Sequence, residues 1–280
     1  MVEPQSITIG GDLVVERMGF GALHIAGRGS WGAPADPGMA RALLRRVVER
    51  GVQFIDTADS YGPAVSETLI AEALHPYPKD LVIATKGGLL RPSAGRWDAD
   101  CRPEHLRRAC EASLKRLRLD RIDLYQLHTV DPNVPLEDSV GALVALQKEG
   151  KIRHIGVSNF DPRQLARARK IATIVSVQNR YNLGDRSSDK VIDACAKDGL
   201  AFLPWYPLHG LSVVTSTAQL REIARRHNAS PAQMALAWLM RRAPVMLPIP
   251  GTSSIAHFDE NWAARALELS DEDFAAFDRA

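Results

Sequence analysis

Apolar positions along the chain alternate between two periods. Short runs rich in Val, Ile, Leu and Phe recur at 52–56 (VQFID), 81–85 (LVIAT), 122–127 (IDLYQL), 152–157 (IRHIGV), 174–178, 201–205 and 245–249. They are too short for helices and read as buried strands. Between them, apolar residues fall three or four apart, predicting helices over 37–50, 66–74, 103–117, 136–148, 162–170, 187–197, 218–226 and 231–241. Glycines 51, 150 and 199 stand where three of these should stop. A last helix is predicted over 271–278. Ahead of the array, ITIGGDLVV reads as a hairpin turning at Gly10-Gly11, and RMGFG (17–21) as the first strand.

Eight short strands, each followed by helical sequence, predict a parallel sheet covered by helices. Eight such units close into a (β/α)8 TIM barrel, here with an N-terminal β-hairpin. The rival is an open doubly wound sheet, which needs a GxGxxG phosphate loop after the first strand. Gly19-Phe20-Gly21 begins that pattern, but position 24 is His. No linker divides the chain, so residues 1–280 read as one domain.

Composition narrows the function classes. Lys plus Arg is 35 and Asp plus Glu 33, a net charge of +2 that leaves no electrostatic footprint for nucleic acid. No apolar run reaches the ~18 residues of a membrane span. MVEPQSITIGGD lacks a basic-then-apolar leader pattern. Cys101, Cys110 and Cys195 are odd in number and unclustered, with no Cys/His metal spacing. A reduced, cytoplasmic protein with small buried cysteines and no metal is expected.

In a barrel, chemistry collects at the C-terminal ends of the strands. Those ends carry Asp56 with Tyr61 just beyond, Lys86, His128, Ser158-Asn159, Gln178 and Trp205-Tyr206. Each alone is weak: an aspartate caps turns, a lysine is usually solvated, a histidine is often structural. A barrel aims all of them at one mouth, and that convergence carries the argument. Ser158 could be read as a nucleophile, but GVSNF lacks the second glycine of GxSxG.

The motifs FIDTADSYG, ATKGG, LYQLH, GKIRHIGVSNF, SVQNRYN, WYPL and IPGTSSIAHFDEN, in this order, resemble the aldo-keto reductase family over nearly the whole chain. The resemblance implies reduction of aldehydes and ketones to alcohols with a nicotinamide cofactor. It implies a catalytic tetrad of Asp56, Tyr61, Lys86 and His128. Tyr61 is then the general acid, Lys86 lowers its pKa, Asp56 holds Lys86, and His128 places the carbonyl oxygen. It further implies cofactor contacts at Asp56, Ser158, Asn159, Gln178, Trp205, Pro207 and Leu208. At the adenosine end it implies Gly251, Thr252, Ser253, His257, Glu260 and Asn261.

At two of these positions the chain departs from the family pattern. Well-known NADPH-dependent members carry a lysine just after the proline and an arginine six residues on; here stand Gly251 and His257. NADPH is the expected cofactor, with NADH the alternative. Loop residues Leu23, His24, Trp31, Trp97 and Tyr206 are the candidates for substrate contact. The segments IPGTSSIAHFDENWAA and SVQNRYN are similar to a bacterial subgroup that includes pyridoxal reductases, making pyridoxal a candidate substrate. Another class of function is a non-catalytic, NADPH-binding regulatory subunit, and a third is a barrel whose tetrad has lost its role, which the intact Asp56, Tyr61, Lys86 and His128 set disfavours. A monomer or weak oligomer acting on a small carbonyl compound is expected.

Overall fold

The computed structural model describes residues 5–279. The first four residues, where the leader pattern was sought, and the last one lie outside them. The chain enters as a hairpin of β1 (Ser6–Ile9) and β2 (Leu13–Glu16), with Gly10 and Gly11 both at positive φ in its turn. The barrel array follows: β3 (Phe20–Gly21), α1 (Pro37–Glu49), β4 (Phe54–Asp56), α2 (Val65–Leu74) and β5 (Val82–Gly87). Next come a second hairpin, β6 (Leu89–Ser93) and β7 (Arg96–Ala99), then α3 (Pro103–Leu117) and β8 (Ile122–Leu127). The array continues with α4 (Leu136–Lys148), β9 (Ile152–Ser158), α5 (Pro162–Ala168), β10 (Ile174–Arg180), α6 (Asp189–Asp198) and β11 (Ala201–Trp205). Helices α7 (Ala218–Arg226), α8 (Pro231–Arg242), α9 (Ile255–Ala263) and α10 (Asp271–Asp278) complete the chain.

Local chemistry explains the helix starts. Asp36 accepts a hydrogen bond from the Met39 amide with Pro37 at the first helical position. Asp161 with Gln164, and Ser230 with Gln233, form reciprocal capping boxes. Gly199 ends α6 in the left-handed conformation.

Seven strands form one parallel sheet in the order β11-β10-β9-β8-β5-β4-β3. The predicted eighth strand, 245–249, does not form as a regular strand. On the β11 side its bonds are regular: the Phe202 amide donates to the Val245 carbonyl and the Leu247 amide to the Phe202 carbonyl, each at 2.8 Å. On the β3 side only one direction exists, from Gly19 to the Pro248 carbonyl at 2.9 Å and from Gly21 to the Pro250 carbonyl at 3.2 Å. Prolines 248 and 250 have no N–H to return a bond. The segment therefore closes the barrel as an extended chain, and the first strand shrinks from the predicted 17–21 to two residues. The β6–β7 hairpin was not anticipated either, because LLRPS carries a proline and RWDA is polar.

Alternation along the strands sorts their side chains. Phe54, Val82, Ala84, Leu124, Ala201, Leu203, Leu247 and Ile249 pack together inside the barrel with Ile9, Leu13 and Val15, so the entry hairpin plugs one end. Ile55, Ile83, Tyr125, Val177 and Phe202 point outward and pack under the helices. The inward parity continues past the apolar layer to Asp56, Lys86 and Gln126, placing them inside the opposite end. The three cysteines are buried and free.

Candidate active site

Asp56, two residues beyond Phe54, and Lys86, two beyond Ala84, are fully enclosed, with the Lys86 side chain 0% exposed. The Lys86 ammonium spends all three donors: on Asp56 Oδ2 at 2.6 Å, the Thr57 carbonyl at 2.8 Å and the Tyr61 hydroxyl at 3.1 Å. The second Asp56 oxygen accepts from Gln178 Nε2 at 2.8 Å and Gln126 Nε2 at 3.2 Å. Gln126 was missed in the sequence reading. Its signal was parity, since it lies two residues before His128. Gly156 makes room for it: a Cβ there would sit 2.9 Å from Gln126 Cγ and 2.3 Å from Ser176 Oγ.

His128 follows β8, its ring edge-on to Tyr61 with centroids 5.9 Å apart, and Nδ1 lies 3.4 Å from Ser60 Oγ. Burial and the neighbouring Lys86 charge hold its pKa well below 6.5, so the imidazole is neutral at physiological pH. Burial pulls Lys86 downward, but Asp56 and Tyr61 more than offset this, and its pKa lies above 10.5. For Tyr61 the expectation needs correcting. Lys86 does pull the phenol down, but burial pushes harder, and the net shift is upward from 10.0. Asp59 Oδ1 is enclosed with no partner among the described residues. Burial and the nearby Glu67 push its carboxyl to about 8, so at neutral pH it is mostly uncharged and Asp56 is the carboxylate that balances Lys86.

Tyr61, Asp56 and His128 face a cavity of about 470 Å³ at the mouth of the barrel. Ser158, Asn159, Gln178, Trp205, Pro207, Leu208 and Gly251 line it, as do the substrate candidates Leu23, His24, Trp97 and Tyr206. Leu89, His209 and Ile249 also line it and were not singled out by sequence. The cavity lining does not include Trp31, Thr252, Ser253, His257, Glu260 or Asn261. Thr252 and Ser253 lead into α9, where Ser254 caps the helix by accepting from the His257 amide at 3.4 Å. His257 is exposed and Asn261 buried. Gly21 and Gly251 meet at the rim: a Cβ on Gly251 would lie 2.5 Å from the Gly21 carbonyl oxygen.

Asn159 sits at φ +61°. Its amide nitrogen donates to the His128 carbonyl at 3.0 Å and Ser158 Oγ at 3.2 Å, and its oxygen accepts from the Trp205 indole at 3.0 Å. The chain thus locks the Trp205 ring at the cavity wall through Asn159.

A lysine joining a buried carboxylate to a phenol, beside a neutral histidine, can move a proton to an oxygen in the cavity. The chain is 46% identical to an oxidoreductase of Schizosaccharomyces pombe over 96% of its own length and 87% of the relative's. It is 44% identical to the pyridoxine 4-dehydrogenase of Escherichia coli, covering 94% of each. Its backbone superposes on the glycerol dehydrogenase of Gluconobacter oxydans with a TM-score of 0.89 at 26% identity, covering 98% and 94% of the two chains. An aldo/keto reductase of Klebsiella pneumoniae, solved with NADP and acetate, superposes with a TM-score of 0.84 at 27% identity, covering 99% and 95%. The profile described as Aldo/keto reductase family matches residues 17–280. The chain belongs to the aldo/keto reductase family and is a nicotinamide-dependent oxidoreductase.

Proposed function

We propose that this protein reduces an aldehyde or ketone to the alcohol, with NADPH as cofactor and Tyr61 as general acid. The observation that carries this reading is the buried chain from Asp56 through Lys86 to the Tyr61 hydroxyl, which opens on the same cavity as His128. Neutral His128 and the Tyr61 hydroxyl place a carbonyl oxygen between them. The phenol gives up its proton to that oxygen as charge develops there, and the adjacent ammonium stabilises the phenolate left behind. Asp56 keeps Lys86 charged and aimed.

The residues fit a nicotinamide dinucleotide. The cavity runs from the tetrad to Gly251, and the chain continues into the capped start of α9, whose free N–H groups favour phosphate. Bound NADPH supplies the hydride. Ser158 Oγ and Gln178 Oε1 are the groups placed to hold its carboxamide, because Gln178 Nε2 is already given to Asp56. Asn159 is committed to its neighbours and serves to fix Trp205. The exposed His257 is the nearest sequence candidate for the 2′-phosphate, and the NADP-bound Klebsiella neighbour supports NADPH over NADH. His257→Arg should shift the NADPH-to-NADH preference about three- to tenfold toward NADPH, through a charge-assisted but exposed contact. Affinities from nicotinamide fluorescence titration check this.

A pH profile tests the proton assignment. Tyr61 donates only while protonated, and its pKa lies above 10.0, so reduction should hold through neutral pH and fall only on the alkaline side of that value. His128 stays neutral, so kcat/KM should show no inflection near 6.5. An inflection there that disappears in His128→Asn would overturn the neutral-imidazole role.

Among carbonyls, pyridoxal is the specific candidate, supported by the 44% identical pyridoxine 4-dehydrogenase and by the aromatic walls of the cavity. Following NADPH and NADH absorbance against an aldehyde panel that includes pyridoxal tests the whole reading. Cofactor binding with no turnover of any carbonyl would favour the regulatory-subunit alternative. No helix among the described residues is long and apolar enough to cross a membrane. The net charge of +2 leaves no electrostatic footprint for nucleic acid, and the reading is of a cytoplasmic enzyme that is monomeric or weakly associating; sedimentation checks the association state.

A further inference from the structure

Arg91, on β6, is buried, yet no carboxylate among the described residues pairs with it. Its partners are of another kind. The guanidinium lies 3.8 Å from the centroid of the Trp97 ring across the β6–β7 hairpin and 5.6 Å from that of Trp31. Its two terminal nitrogens donate to main-chain carbonyls of the loop before α1, Nη1 to Ser30 at 3.2 Å and Nη2 to Gly29 at 3.1 Å. That loop is tied in turn to the residue after the tetrad tyrosine. The Gly62 amide donates to the same Ser30 carbonyl at 3.1 Å, and the Gly32 amide to the Gly62 carbonyl at 2.7 Å. Arg91 therefore fastens the hairpin to the turn that carries Tyr61.

Trp97 is the part of the hairpin that this fastening aims. Trp97 is 41% exposed as a residue and lines the cavity, with its ring centroid 6.4 Å from that of His128. An exposed indole on a two-stranded hairpin has little else to hold it, because such a hairpin alone is marginally stable in water. A desolvated guanidinium over an indole face is a strong contact of its type, and Arg's planar fork can stack and donate at once.

We propose that Arg91 is a positioning residue for substrate recognition: it holds the Trp97 indole over the carbonyl pocket, so that the site selects flat, conjugated carbonyl compounds over small aliphatic ones. The indole so held lies beside His128, the two ring planes at 72°, where the ring of a conjugated aldehyde would extend once its oxygen is placed at the tetrad. Arg91 itself touches neither the tetrad nor the cavity, so its effect is on binding selectivity. This rests on the carbonyl-reductase reading above.

The test compares wild type with Arg91→Ala, Arg91→Lys, Trp97→Ala and the Arg91→Ala/Trp97→Ala double variant, using benzaldehyde and propanal with NADPH. Arg91→Ala should raise KM for benzaldehyde about tenfold, the loss of one contact of ~1.4 kcal/mol, while kcat for both aldehydes and KM for propanal stay within about twofold. Trp97→Ala should give the same shift, and the double variant no more than Trp97→Ala, because the two residues act as one unit. Arg91→Lys keeps a cation but not the double donation and should fall between; it carries the test if Arg91→Ala does not fold. Trp97 emission, isolated by subtracting a Trp97→Phe variant, should become more accessible to acrylamide in Arg91→Ala. Equal KM ratios in wild type and Arg91→Ala, or fully additive effects in the double variant, would overturn the proposal. Wild type inactive on every carbonyl would instead overturn the reductase reading, while quenching unchanged by Arg91→Ala would sink the clamp on its own.

Discussion

Tyr61→Phe is expected to lower kcat for carbonyl reduction by about 10²–10⁴-fold while leaving NADPH affinity within about threefold of wild type. The Tyr61 hydroxyl is the proton source the geometry offers: it borders the cavity and its hydrogen-bond partner is the Lys86 ammonium at 3.1 Å. Lys86 cannot replace it, since its other two donors are held by Asp56 and the Thr57 carbonyl and Lys86 does not itself line the cavity. Phenylalanine keeps the ring packed against His128, so the fold should lose only about 1 kcal/mol for one missing hydrogen bond. Single-turnover kinetics with fluorescence titration of NADPH separate the two effects. Near-wild-type turnover in this variant would remove Tyr61 from the mechanism and leave His128 as the remaining candidate acid.

The second large effect is on stability as well as rate. Lys86→Met should cost about 3–5 kcal/mol, because it leaves Asp56 buried without its cation. Gln126 and Gln178 would still donate to one Asp56 oxygen, but the oxygen now paired at 2.6 Å would face methionine. Urea unfolding measures the deficit. The Asp56→Asn/Lys86→Met double variant should recover much of the stability but none of the turnover, because the phenolate would still lack its ammonium. If Lys86→Met matched wild type in stability, the buried pair would not be the anchor of this site. If the double variant regained turnover, Lys86 would have no electrostatic role toward Tyr61.

How much of this was legible beforehand differs by residue. Asp56, Lys86 and His128 could be placed from strand ends and motif order, since each lies on or next to a strand whose inward parity the neighbouring apolar residues declare. Gln126 obeyed the same parity and was passed over because glutamine alone signals no chemistry. The direction of the Tyr61 shift was misread because sequence names the neighbouring lysine but not the depth of burial, and burial outweighs it. Arg91 was invisible: nothing in LLRPS says that its guanidinium reaches two carbonyls some sixty residues earlier in the chain.

The barrel's outline was legible in the sequence, because a period-two alternation and a helical period are local properties that any short window shows, while the proposed tetrad was named by the resemblance of its motifs to the family. Helix ends followed for the same reason, through caps that act within three or four residues. The tertiary structure alone decided what depends on distant contacts. Prolines 248 and 250 turned the eighth strand into an extended seal, since their missing N–H groups matter only once β3 lies alongside. The cavity wall was settled by Asn159 gripping Trp205 and by Arg91 gripping Trp97. Such contacts join residues far apart in the chain, and which of them form is fixed only when closing the barrel brings its strand ends and loops to one mouth.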